Sequence, residues 1–168
     1  MQIAASIILV AGGVLVGMQL NNSGSSKAEI AELKDEMQRI KEGMMLTMLN
    51  QESASQRIQA VSYADELQKP NQKVIQALIQ TLNTDENLNV RLAAANSISK
   101  FLNDPAVVEA LVNSLRTQKE PLVQITLITI LTDKKEKKAA EPIREIISNE
   151  QTLPPVKQIA EQGLKKII

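Results

Sequence analysis

The chain reads as all-α, an N-terminal single transmembrane helix followed by an α-solenoid of about four helix pairs. Three observations predict this. The nineteen basic and nineteen acidic residues all lie from Lys27 onward, which leaves residues 1–26 uncharged. An apolar pattern recurs every 33 to 34 residues through the charged part. None of the six prolines falls at the centre of a predicted helix.

Ile3 to Leu20 reads IAASIILVAGGVLVGMQL, with Ser6 and Gln19 as its only polar members. At about 1.5 Å per residue these eighteen positions span roughly 27 Å, close to the hydrocarbon thickness of a bilayer. Only a helix satisfies the segment's backbone groups in lipid. The rival is a secretory signal peptide, which needs a basic leading region and a small-x-small cleavage site. Met1-Gln2 supplies no basic residue and no A-x-A stretch follows, so a retained anchor is expected over residues 1–20. The missing basic collar leaves the orientation unset by charge. It also leads us to expect that the chain is the C-terminal portion of a longer protein. Gly13 and Gly17 form a G-x-x-x-G pair with Gly12 beside it. Such a pair permits close approach of two membrane helices, hence a homodimer through this face; the other reading is the ordinary abundance of glycine in membrane helices. Residues 21–26, Asn-Asn-Ser-Gly-Ser-Ser, form a polar, flexible joint.

The remainder, 27–168, is long enough for one domain and repeats on itself. Val74 to Leu82 matches Val107 to Leu115 at an offset of 33, with apolar residues at every apolar position. Going back by 34 gives the same face as Ile40, Gly43, Met44, Met45 and Met48, and going forward gives Ile143, Ile146 and Ile147 with a slip of one. Second helices align likewise: Val90-Arg91-Leu92-Ala93-Ala94 with Val123 to Leu127 and Val156 to Ala160, and with Arg57 to Ala60 before them. Four pairs result, at about 36–67, 71–102, 105–132 and 139–167. Stacked pairs share a core that one pair cannot bury alone.

Prolines at Asp104-Pro105, Glu120-Pro121, Glu141-Pro142 and Pro154-Pro155 stand near helix starts, where the missing N–H costs little. Asn89 and Asp104 are suitable N-caps. Ile125 to Thr132 is rich in β-branched residues and by itself favours a strand. Its place in an interior repeat, packed from both sides, predicts a helix. The core is aliphatic with small residues such as Ala60, Ala93, Ala94 and Ala160 setting close helix spacing. Gly43 and Gly163, mid-helix, each cost about 1 kcal/mol, with close helix contact as the expected return. Within 27–48, Ile30, Leu33, Met37, Ile40 and Met44 alternate at spacings of three and four. That run is either a short dimeric coiled coil or one long helix whose first half is a stalk.

Composition excludes several chemistries. Without Cys or His there is no thiol nucleophile, imidazole base, catalytic triad or ordinary zinc site. Zero net charge argues against a general polyanion binder. Tyr63 and Phe101, the only aromatics, give no stacking platform for bases. Lys134, Lys135, Lys137 and Lys138 form a basic cluster diluted by Asp133 and Glu136, read as an inter-repeat loop rather than a nucleic-acid site. Asp85 and Glu86 are adjacent carboxylates with no base, nucleophile or phosphate loop converging on them. No catalytic, metal or cofactor residue is expected.

At Asp85-Glu86-Asn87-Leu88-Asn89-Val90-Arg91-Leu92-Ala93-Ala94 the sequence resembles a HEAT repeat. The resemblance implies a structural ladder in which a turn Asp and an Arg six residues later, here Asp85 and Arg91, bond one repeat to the next. Later repeats place Gln124 and Lys157 at the Arg position, and the first pairs Arg57 with Gln51 at the turn, so one full rung is expected. The ordered run of membrane helix, polar joint, Ser55-x-Arg57-Ile58-Gln59-Ala60-Val61, Asn87-x-Asn89-Val90-Arg91 and Pro121-Leu122-Val123-Gln124 is similar to bacterial membrane-anchored HEAT-repeat proteins of the anti-sigma-factor type. That similarity implies a single-pass inner-membrane protein whose HEAT part is extracytoplasmic. It also implies a cytoplasmic sigma-binding module that this chain lacks.

The expected function is a non-enzymatic interaction module that binds a protein or peptide partner, not nucleic acid, on the concave face of its second helices. Ser62, Asn96, Thr129 and Gln162 recur on that face. Alternatives are a scaffold or assembly factor for an envelope protein complex, or a helical-repeat enzyme such as a lyase.

Overall fold

A computed structural model of the chain describes residues 23–168. Its described elements are eight α-helices: α1 (Ser23–Met48), α2 (Ala54–Ala64), α3 (Gln72–Thr84), α4 (Leu88–Ile98), α5 (Pro105–Thr117), α6 (Pro121–Asp133), α7 (Ala140–Ser148) and α8 (Pro154–Ile167). Short 3-10 turns follow α4 at Ser99–Phe101 and precede α7 at Lys137–Ala139. The expected anchor 3–20, with Gly13 and Gly17, lies outside the described residues. Among those described, no helix is long and apolar enough to cross a membrane. The chain divides into two compact units, Met1–Ile40 and Lys41–Ile168.

In the first unit the described part of α1 runs from Ser23, inside the stretch 21–26 read as a flexible joint. Ser23-Gly24-Ser25-Ser26 is thus helical, continuous with residues (Ala28, Glu29, Ala31, Glu32, Leu33, Lys34) that are strong helix formers.

The second unit is the repeat array. First helices α3, α5 and α7 pack in succession, as do second helices α2, α4, α6 and α8, and each first helix packs on the second helix of its own pair from α3 onward. This is an α-solenoid. One core runs through it without a break, from Met45, Ala60 and Ala64 through Leu78, Leu82, Ile98, Leu111 and Leu127 to Ile143, Ala160 and Ile167. Its period is the one in the sequence: Val74, Leu78 and Leu82 on α3 match Val107, Leu111 and Leu115 on α5, all but fully buried. Each such aliphatic side chain contributes about 1.5–3 kcal/mol on leaving water.

The strand-prone segment lies in α6. Val123, Leu127, Ile128 and Leu131 are buried, while Thr126 and Thr129 donate their hydroxyls to the carbonyls of Leu122 and Ile125 at 2.9 and 2.8 Å. Burial against α4 and α8 overrides a β preference that spans only about 1 kcal/mol.

Helix starts are set by side-chain caps. Asn71 Oδ1 accepts from Val74 N at 3.0 Å, and Asp104 Oδ1 accepts from Ala106 N at 2.9 Å. Before α4 the cap is Asn87, accepting from Asn89 N at 2.9 Å. Asn89, expected in that role, is instead the second residue of the helix. The two glycines also part company. A Cβ on Gly163 would meet Thr132 Cγ2 at 2.8 Å and Ile128 Cγ2 at 3.1 Å, so its absence lets α8 approach α6. Around Gly43 there is nothing within 4 Å of such a Cβ, and the expected close contact does not occur there.

Candidate interaction face and inter-repeat ladder

Of the second helices, α2, α4 and α6 carry few charges, whereas α8 carries Lys157, Glu161, Lys165 and Lys166. Along α2, α4 and α6 the charges are Arg57, Arg91 and Asp133. Arg57 is buried, Arg91 is half-buried, and Asp133 ends its helix, where it accepts from Lys166 Nζ at 2.7 Å. First helices, by contrast, expose Lys73, Glu109, Arg116, Glu141, Arg144 and Glu145.

Ser62, Asn96, Thr129 and Gln162 are all exposed, and because α2, α4, α6 and α8 pack in sequence they form one row across the array. Beside them stand Ile58 and Leu122, 37% and 51% exposed, with Leu92, Ile125 and Ile159 half-buried. Sequence reasoning found the polar row and missed these aliphatic neighbours. The signal was present, since Ile58, Leu92 and Ile125 occupy one repeat position at offsets of 34 and 33. Two hydroxyls in the row are turned inward: Ser62 Oγ donates to Gln59 O at 2.7 Å and Thr129 Oγ1 to Ile125 O at 2.8 Å. Their protons are used within the helix, so the face offers methyl groups, acceptor lone pairs and amides.

A buried polar ladder joins the repeats at their turns. Arg57 donates from Nε to Asp85 Oδ2 at 2.7 Å and from Nη2 to Asp85 Oδ1 at 2.9 Å, a bidentate pair. Its Nη1 donates to the carbonyls of Gln51 at 3.0 Å and Glu52 at 2.7 Å, and Nη2 also reaches Glu86 Oε1 at 3.3 Å. Asp85 Oδ1 in turn accepts from Asn87 N at 2.8 Å. The hydrogen bond to Asp85 holds the guanidinium above its ordinary range, opposed by desolvation and aided by the charges of Asp85 and Glu86. A raised pKa contributes stability that is fully present below the ordinary arginine value and is lost only as pH rises through the raised one. The rung therefore keeps its arginine charge throughout neutral and mildly alkaline conditions.

The expected pair of Asp85 and Arg91 belongs to two successive rungs. Asp85 receives Arg57 from the repeat before, and Arg91 Nη2 donates to Gln118 Oε1 in the repeat after. Gln118, 8% exposed, copies the turn role of Asp85. Its Oε1 also accepts from Lys119 N and Glu120 N, both at 3.1 Å. Its register predicts this, since Gln118 lies 33 residues after Asp85, and a side-chain amide oxygen accepts from guanidinium much as a carboxylate does. At the third repeat Gln124 Nε2 donates back to Gln118 O at 2.8 Å. An open cleft of 440 Å³ lies at that junction, lined by Gln118, Gln124, Arg116, Glu145, Asn149 and Thr152 among others.

The lysine cluster after α6 is a helix-ending loop. Lys135 has φ 57°, with Lys135 N donating to Thr132 O at 3.0 Å and Glu136 N to Leu131 O at 2.9 Å. That is a Schellman termination, in which the left-handed residue is usually glycine. Lys134 Nζ donates to Asn103 Oδ1 at 3.2 Å.

Residues 44–124 match the family model of HEAT repeats, a span from the end of α1 to the first residues of α6. No curated protein matches the chain. Paired helices, a shared core and turn-to-helix rungs coincide over that span. Over residues 44–124 the chain is thus similar to HEAT repeats, helical-repeat modules that generally mediate protein interactions.

Proposed function

We propose that the protein is a non-enzymatic, membrane-anchored interaction module. In this reading the solenoid is the extracytoplasmic regulatory part of an anti-sigma-factor-like protein of a bacterial inner membrane. Residues 3–20 hold it to the bilayer, and the exposed second-helix face receives a protein or peptide partner. The observation that carries the binding mode is that face: three consecutive helices, α2, α4 and α6, without a fully exposed charge before Asp133, bearing Ile58, Leu122, Ser62, Asn96 and Thr129, with Gln162 continuing the row on the more charged α8. A surface poor in charge, with aliphatic anchors between amides and hydroxyls, has the composition of the central part of a protein interface. Along α2, α4 and α6 it lacks the exposed cationic groups that phosphate backbones require. The anchor and the anti-sigma assignment rest on the apolar run 3–20 and on the ordered motifs of the sequence.

The test is site-specific photo-cross-linking in the native host, with the reactive group placed at Asn96 or Thr129 on the proposed face and at Gln76 or Asn113 on first helices. A discrete adduct from the first pair alone, with Lys27 onward cleaved by protease added to spheroplasts, supports the reading. Equal adducts from both pairs would sink the face. Protection of 27–168 in intact spheroplasts would sink the extracytoplasmic placement.

A further inference from the structure

The helix α1 carries an apolar stripe unlike any other on the described surface. Ile30, Leu33, Met37, Ile40 and Met44 are 45–59% exposed, and they make up five of the nine large hydrophobic side chains left exposed among the described residues. The same helix buries a different face within the second unit, where Met45 is fully enclosed and Glu42 accepts from Asn71 N at 3.3 Å. The stripe is therefore not the core face of this helix. Its spacing of three and four is that of a coiled-coil seam, and its length of about two heptads makes any association modest.

We propose that the stripe is covered by a second copy of this chain, in a parallel, in-register coiled coil. The charges flanking the stripe select this occupant. With Ile30, Met37 and Met44 at a positions and Leu33 and Ile40 at d, the g positions are Glu29 and Glu36, and the e positions are Lys34 and Lys41. In a parallel dimer each g residue faces the e residue five positions further along the other helix. Glu29 then meets Lys34 of the second copy, and Glu36 meets its Lys41, all with opposite signs. In an antiparallel dimer g faces g and e faces e, which sets glutamate against glutamate and lysine against lysine. A hydrophobic partner of another kind gains nothing from this ordering. Both pairs contribute to the selection, and Lys41 also holds Glu66 of its own chain at 2.5 Å. The inference rests on α1 alone and stands or falls separately from the second-helix face.

The chain contains no cysteine, so single-cysteine variants of the full chain in membranes report contacts without background. Leu33→Cys and Ile40→Cys are each expected to form disulfide-linked dimers on mild oxidation, while Asp35→Cys and Arg39→Cys, on the outer positions, stay monomeric. Lys34→Glu placed in the Ile40→Cys chain is expected to lower the linked fraction, on the order of threefold to tenfold for two exposed pairs turned repulsive. Adding Glu29→Lys restores it. Linkage only in mixtures of Ile30→Cys with Ile40→Cys would mean an antiparallel pair and overturn the proposal. Equal linkage at outer positions, no linkage at either d position, or failure of the double charge swap to restore it would do the same.

Discussion

Gly43→Ala and Gly163→Ala make the same chemical change in two helices and should move stability in opposite directions. In a helix interior alanine is favoured over glycine by about 1 kcal/mol, because glycine loses more backbone entropy on folding. At Gly43 nothing lies within 4 Å of the new methyl, so that gain is expected in full. At Gly163 the methyl meets Thr132 Cγ2 at 2.8 Å and Ile128 Cγ2 at 3.1 Å. Both neighbours are buried; Ile128 is nearly fixed at χ1 in a helix and Thr132, which has two χ1 wells there, is held by its Oγ1 bond to Thr129 O at 3.3 Å, so α8 must back away from α6. Overpacking of this kind costs about 1–3 kcal/mol, which outweighs the propensity gain and leaves a net loss of about 1 kcal/mol. The two variants should thus differ by about 2 kcal/mol. For a domain of this size that separates their melting temperatures by roughly 6–10 °C. Urea unfolding followed by far-UV circular dichroism, with the midpoints compared at equal slope, measures the difference. A Gly163→Ala midpoint raised as far as that of Gly43→Ala would refute the packing argument.

Three further outcomes are expected. Lys135→Gly should raise stability by about 1 kcal/mol by removing the left-handed penalty at the end of α6, seen as a higher urea midpoint with an unchanged slope. Ser97 and Ser114 bury hydroxyls without a hydrogen-bond partner, so Ser114→Ala should be neutral to stabilising by up to about 1 kcal/mol; a loss above 1 kcal/mol in thermal melts would reveal a bond to the hydroxyl. Arg57→Ala should destabilise more than Arg91→Ala, because Arg57 makes five hydrogen bonds and Arg91 two; an equal drop in midpoint would deny the rungs their unequal weight.

The helix pairs, their order and their buried face were legible in the sequence because an apolar period of 33 to 34 residues leaves one arrangement in which every unit finds neighbours. Pro105, Pro121 and Pro154 stand at helix starts as expected, while at α4 the cap is Asn87 rather than Asn89. Tertiary structure decided what no single repeat contains. Arg57 finds Asp85 only across a repeat boundary, and Gln118 becomes a rung because the half-buried guanidinium of Arg91 in the preceding repeat arrives at its amide oxygen. Gly43 and Gly163 are indistinguishable as letters in a helix, and only the approach of Thr132 separates them. The stripe on α1 follows the same logic: its spacing is written in the sequence, but that it remains uncovered after folding, while Met45 on another face is enclosed, is a fact of packing. Local periodicity fixes which side of a helix is apolar. Contacts between helices determine which apolar sides are still exposed once the chain has folded.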